Sequence, residues 1–245
     1  MRLQDKVVLL PGAGGGMGTA VARLFAREGA RLVLVARREG PLRELASLAR
    51  SEGGEATVCA ADASTEAGCA AMVKAAVREF GRVDVLYCNM GDYAHGELEL
   101  HETTPKAWDY LVGLNLRAHY LCARATIPQM LRQEPPGGVL IHVAASGDVT
   151  RGSNPGYSAA KAGLMGLVRR TAAQYRDRNI RVHCIAPGSI GGDPPPAELP
   201  SAPPPGIRRP ATSMDVAFAA LYLASDESSW LTGRVIPVDG GAELF

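Results

Sequence analysis

Short apolar runs separated by helix-length stretches recur along the whole chain. The runs are Val7–Leu10, Arg31–Val35, Ala56–Cys59, Val83–Tyr87, Val139–Val143, Arg181–Ile185 and Val235–Val238. They are rich in β-branched and other apolar residues and lack clean alternation, as strands covered on both faces do. Between them, Thr19–Glu28, Trp108–Met130, Ala162–Tyr175 and Met214–Ala224 carry the composition or apolar spacing of helices. Strands alternating with helix-length segments imply parallel pairing, because each crossover returns the chain to the same end of the sheet. The pattern predicts a single α/β domain over residues 1–245, a doubly wound Rossmann-type fold with a mainly parallel seven-stranded sheet and helices on both faces.

Two stretches add chemistry to that frame. The first is Gly12-Ala13-Gly14-Gly15-Gly16-Met17-Gly18, directly after the first strand and before the first helix. Glycines there let the backbone turn tightly and approach a pyrophosphate, whose charge is favoured at the helix N-terminus. In this context the stretch predicts dinucleotide binding rather than a plain turn. The second strand ends Val35-Ala36-Arg37-Arg38. An acid at that point would bond the ribose 2′-hydroxyl of NAD, whereas a guanidinium suits the 2′-phosphate of NADP. Ala36, Arg37 and Arg38 therefore favour NADP, with NAD possible; the bland reading is two solvated arginines.

The second stretch is Tyr157-Ser158-Ala159-Ala160-Lys161. On a helix, a spacing of four puts Tyr157 and Lys161 on one face. An ammonium beside a phenol favours the phenolate and lowers its pKa, which makes the Tyr a usable acid/base. Asn115 lies inside an otherwise apolar helical stretch, and a buried amide must find partners. Either it serves the site, or it satisfies a neighbouring backbone group.

Composition narrows the class. The 245 residues are 47% hydrophobic and 21% charged with a net charge of +1, so neither nucleic acid nor a membrane surface is an expected partner. No run is long enough for a signal peptide or a bilayer span, which points to a soluble cytoplasmic protein. Cys59, Cys69, Cys88, Cys122 and Cys184 are scattered without CxxC spacing. That argues for reduced thiols, and against a disulfide framework or a metal site.

Taken together, Gly12-x-x-x-Gly16-x-Gly18, Asn89-x-Gly91, Asn115-Leu116, Tyr157-x-x-x-Lys161, Pro187-Gly188 and Val238-Asp239-Gly240-Gly241 resemble the short-chain dehydrogenase/reductase family, including its 3-oxoacyl-acyl-carrier-protein-reductase-like members. The resemblance covers the whole chain. It implies reversible hydride transfer between a nicotinamide and a small-molecule ketone or secondary alcohol, with Tyr157 as acid/base. Lys161 would tune Tyr157 and bind the nicotinamide ribose, and Asn115 would complete a proton relay. Gly12, Gly16, Met17, Gly18, Asn89 and Gly91 would line the dinucleotide, Asp62 would meet the adenine unless it caps the next helix, and Pro187, Gly188 and Ile190 would flank the nicotinamide. The resemblance also implies a homo-oligomer, a tetramer or dimer.

The chain departs from the family pattern in several places. Pro11 precedes Gly12 where Thr or Ser is usual, Met90 replaces Ala, His183 replaces Asn, and Gly192 stands in place of a Thr. The position of the serine that polarises the substrate carbonyl falls on Ala145, with Ser146 one residue late. Ser146 is expected to take that role if the strand has already turned. His142, inside the strand, reads as structural. Asp92, Tyr93, His95 and Ser189 are candidate pocket-lining residues, and the proline-rich segment near 191–210 is either a short substrate lid or a stiff surface loop. The alternative function is a dinucleotide-binding sensor or scaffold with weak turnover; dehydration or isomerisation on the same scaffold is a third.

Overall fold

The computed structural model describes residues 1–93, 99–191 and 198–242. Seven strands form one sheet: β1 (Val7–Pro11), β2 (Arg31–Ala36), β3 (Glu55–Ala60), β4 (Val85–Cys88), β5 (Gly138–Val143), β6 (Ile180–Pro187) and β7 (Val235–Val238). Their order is β3-β2-β1-β4-β5-β6-β7, and every pairing is parallel. Eight helices join them: α1 (Gly16–Arg27), α2 (Glu39–Ser51), α3 (Glu66–Phe80), α4 (Pro105–Val112), α5 (Ala118–Arg132), α6 (Gly147–Arg151), α7 (Pro155–Tyr175) and α8 (Ser213–Ala224).

Successive side chains in a strand face opposite sides, so each central strand feeds two cores. Val8, Leu10, Val85, Tyr87, Val139 and Ile141 pack under α1, α2 and α8. Val7, Leu9, Leu86, Cys88, Leu140 and Ala144 pack under α3, α5 and α7. This two-sided burial is why the strands read as continuous apolar runs. The order reverses direction between β1 and β4, and ligands of open α/β sheets bind outside the carboxyl ends of the strands at such a point. The Gly12–Gly18 turn and the Asn89–Gly91 segment both leave the sheet there.

Pro11 is compatible with the turn. It closes β1, its carbonyl accepts the Asn89 amide at 3.0 Å, and Gly12 donates to Val35 at 3.1 Å. The long helical stretch around Asn115 is broken by a π-helical turn at Gly113–Arg117 between α4 and α5. The N-terminus of α7 is set by Asn154, whose Oδ1 accepts the Gly156 amide at 2.9 Å, with Pro155 at the first helical position. Of the proline-rich segment, Gly192, Asp193 and the residues to 197 lie outside the described residues. Residues 198–205 form no regular element, and Arg27 of α1 donates to the carbonyls of Leu199 and Pro200 at 2.9 and 2.7 Å. Among the described residues no helix is long and apolar enough to cross a membrane.

Candidate active site

The turn after β1 shows why its glycines are needed. Gly12 has φ +84°, and a Cβ there would lie 2.7 Å from the Asn89 carbonyl carbon. A Cβ at Gly18 would lie 2.5 Å from the Gly12 oxygen, whereas one at Gly14 or Gly16 would make only ordinary contacts, at 4.0 Å to Ala36 and 3.5 Å to Ser213, and one at Gly15 would meet nothing. Two glycines close the turn and the others leave room over the N-terminus of α1. That room opens into a cleft of about 970 Å³, lined by Gly12, Gly16, Met17, Arg37, Arg38, Asp62, Asn89 and Gly91 among others. Asn89 donates from Nδ2 to the Gly12 carbonyl at 3.2 Å, and its buried Oδ1 has no partner among the described residues. A glycine cradle, a helix N-terminus, two arginines and a free amide oxygen fit a dinucleotide.

Asp62 lines this cleft, and it does not cap the next helix. It accepts from the Ser64 amide and hydroxyl at 3.0 and 2.6 Å, bonds that hold its carboxyl below the usual range. Thr65 caps α3 instead, accepting the Gly68 amide at 3.0 Å.

The cleft adjoins a second cavity of about 590 Å³, with Met17, Asn89, Met90 and Gly91 common to both. Tyr157, Lys161, Pro187, Gly188, Ser189, Ile190, Asp92 and Tyr93 also line it. His95, expected near this wall, lies outside the described residues. The Tyr157 ring packs edge-on against Tyr93 with centroids 5.9 Å apart, and the Lys161 Nζ lies 5.6 Å from the Tyr157 ring centre. A Cβ on Gly91 would come within 2.9 Å of Asn115 Oδ1 and 3.2 Å of Lys161 Nζ, so glycine there keeps the three groups together.

The electrostatics of the pair differ from the expectation. Burial, followed by Tyr93, pushes the Tyr157 phenol up to about 12. Burial also pulls the Lys161 ammonium down to about 8. The Lys161 Nζ donates to the Val143 carbonyl at 2.8 Å and is not aimed at the phenol. Desolvation penalises the charged form of both groups and is the largest cause of both shifts.

Asn115 sits in the π-helical turn and is fully buried. Its Nδ2 donates to the Asp92 and Leu111 carbonyls at 2.9 and 3.0 Å, and its Oδ1 accepts the Asp92 amide at 3.3 Å. It thus fastens the cavity wall through the backbone.

The structure does not bring Ser146 to the cavity. The chain leaves β5 at Val143, and Ser146 becomes the residue preceding α6, fully buried, with its amide on the Pro187 carbonyl at 2.9 Å. Its hydroxyl donates to the Asp148 carboxylate. Ala145 faces the cavity in its place and packs with Leu111 and Tyr157. Asp148 also lines the cavity, and sequence reading missed it. The available signal was weak: Asp148 is the sole acid between Val143 and Tyr157.

Comparison with known proteins agrees with this architecture. A family model described as enoyl-(acyl carrier protein) reductase matches residues 12–243. The chain belongs to the short-chain dehydrogenase/reductase family. An uncharacterized oxidoreductase of Thermotoga maritima is 33% identical over 99% of this chain and 99% of its own length. The 3-oxoacyl-[acyl-carrier-protein] reductase of the same organism is 33% identical over 98% of this chain and 99% of its own. A solved structure assigned to the short-chain dehydrogenases/reductases, from Burkholderia xenovorans, superposes with a TM-score of 0.88 at 31% identity, covering 100% of this chain and 98% of that one. The protein is thus an oxidoreductase of this family, whose members take a nicotinamide dinucleotide and a small-molecule substrate.

Proposed function

We propose that this short-chain dehydrogenase/reductase interconverts a ketone and a secondary alcohol, with NADP(H) preferred. The observation that carries the reading is the meeting of Tyr157 and Lys161 with a glycine-lined cleft, across the shared wall of Met17, Asn89, Met90 and Gly91. When bound, the nicotinamide supplies or accepts the hydride. Gly12, Gly16, Met17, Gly18, Asp62, Asn89 and Gly91 hold the dinucleotide, and Pro187, Gly188 and Ile190 border its reactive end. Arg37 and Arg38, both exposed at the far end of the cleft, supply the phosphate preference.

Tyr157 holds the proton at its phenol oxygen. A phenol at about 12 is fully protonated at neutral pH, which suits donation to a developing alkoxide. Lys161 holds its ammonium at the end of β5, and Asn115 keeps Asp92 and Gly91 in place beside it. Ser146 acts through Asp148, which it orients toward the cavity. With Ala145 offering only a methyl group, the carbonyl polarisation usual in the family is weakened, and a missing donor of that kind costs roughly a hundred- to a thousandfold in rate.

The test is oxidation of NADPH and NADH against a panel of ketones and enoyl thioesters, with product analysis, on wild type, Tyr157→Phe and Ser146→Ala. The expected result is alcohol formed from a ketone, a rate at least about a hundredfold lower in Tyr157→Phe, and unchanged NADPH affinity in that variant. Saturation of a carbon–carbon double bond with the ketone untouched would overturn the reading in favour of enoyl reduction. So would a Tyr157→Phe variant as fast as wild type.

A further inference from the structure

Behind the cavity wall lies a cluster that the proposed chemistry does not use. Cys88 ends β4 and is directly opposite His142 of β5 in the parallel register. His119, in the first turn of α5, packs onto the same pair. All three are buried, at 0, 1 and 0% exposure, and none lines the catalytic cavity. One donor atom from each lies within 4.8 Å of the other two.

The hydrogen bonding assigns the lone pairs. His119 Nε2 is 2.8 Å from the Met90 carbonyl, which can only accept, so Nε2 carries the proton. Its Nδ1 is therefore an unprotonated nitrogen, and it faces His142 Nδ1 at 3.2 Å. An imidazole with one N–H on a backbone carbonyl and a lone pair turned inward is the arrangement metal-binding histidines adopt. Around a cation with bonds of ~2.0–2.3 Å, neighbouring donor atoms sit ~3.3–3.8 Å apart. Side-chain shifts of about an ångström close the cluster to that spacing.

We propose that Cys88, His119 and His142 bind a single thiophilic d10 cation, Zn²⁺ or Cu⁺. Neutral imidazoles and a thiolate are the forms a cation needs. Electroneutrality separates the two cations. Cu⁺ is neutralised by the Cys88 thiolate alone, whereas Zn²⁺ needs a second thiolate, for which the fully buried Cys122 beside Cys88 has to move in toward the three. With no open face, the site is structural. It ties β4, β5 and α5 together directly beneath Met90 and Gly91.

The test uses the full chain, purified from cells grown in media supplemented with zinc, copper or cobalt, and dialysed against a chelator. Bound metal is measured by elemental mass spectrometry, and cobalt protein is examined for thiolate-to-metal charge-transfer absorption. The expected result is one cation per chain, retained through dialysis and lost from Cys88→Ser and His142→Gln. The loss of metal affinity, read by competition with the chelator, should exceed the ~10–100-fold that removal of an outer-sphere partner costs. Cys122→Ser would abolish zinc loading and spare copper. Folded wild-type protein without bound metal or a charge-transfer band would overturn the proposal and leave a hydrogen-bonded core cluster; this arm does not depend on whether the variants fold. Full metal retention in Cys88→Ser would overturn it equally.

Discussion

The surroundings of Lys161 oppose its charge. It is 3% exposed, and burial pulls its ammonium down to about 8 from 10.5. The unfolded chain therefore holds a proton that the folded chain has released between those values, so stability rises with pH across that window. Below about 8 the penalty is fully present. Relative to Lys161→Met, wild type is expected to gain about 2–3 kcal/mol between pH 8 and 10.5, as read from paired thermal melts. A difference that stays flat across that range would mean the ammonium is solvated. Gly91 makes a second residue-scale case. A Cβ at 2.9 Å from Asn115 Oδ1 and 3.2 Å from Lys161 Nζ must displace one of them. Gly91→Ala should lower kcat at least about tenfold, since small misplacements near the chemistry are costly. The rate at saturating cofactor checks it.

At the scale of elements, the π-helical turn between α4 and α5 decides how the cavity wall is held. A π turn leaves i→i−4 backbone groups without their helical partners, and such turns recur at functional sites. Asn115 fills one of those vacancies at the Leu111 carbonyl and spends its remaining bonds on Asp92. Asn115→Ala strands these buried backbone groups, at ~1–3 kcal/mol. Chemical denaturation of the variant should show that loss, and rescue by Asn115→Ser should be incomplete, because a hydroxyl cannot span both carbonyls. Of the two sequence readings of Asn115, these bonds match the one in which it satisfies neighbouring backbone groups. The amide satisfies the backbone, and that backbone carries the site.

For the whole molecule, the long cleft at the strand ends spreads recognition over distant residues. Arg37 and Arg38 after β2 lie at one end, and Tyr157 and Lys161 at the other. Substituting both arginines by Ala should weaken NADPH binding about tenfold or more while leaving NADH nearly unchanged, because a charge-assisted phosphate contact is worth ~1.5–3 kcal/mol. Fluorescence titration with both cofactors reads the ratio, and an equal loss for both would remove the arginines from cofactor choice. Trp230 is 99% exposed, with Tyr222, Tyr120 and Trp108 also at the surface. A large exposed aromatic such as Trp230 is the residue type enriched where proteins associate. Analytical ultracentrifugation is expected to show a homo-oligomer that Trp230→Asp dissociates, and a wild-type monomer would overturn that expectation.

The fold was legible in the order of apolar runs, because two-sided burial writes a strand as a continuous apolar stretch and a crossover helix as an amphipathic one. The pairs at fixed local spacing were legible too: Tyr157 with Lys161 on one helix face, and Gly12 to Gly18 within one turn. Boundaries shifted where backbone pairing, which composition does not encode, set the limit. The fourth strand begins at Val85 and runs to Cys88, two residues after the apolar run begins and one beyond its end. What no local pattern contained was direction. The turn after Val143 rotates Ser146 into the interior, gives its place on the cavity to Ala145 and brings Asp148 to the wall, an outcome fixed by α6 and the Pro187 carbonyl. The tuning of Tyr157 and Lys161 followed burial, which only the packed sheet and helices create. Cys88, His119 and His142 are dozens of residues apart and become neighbours only through β-strand register and the docking of α5.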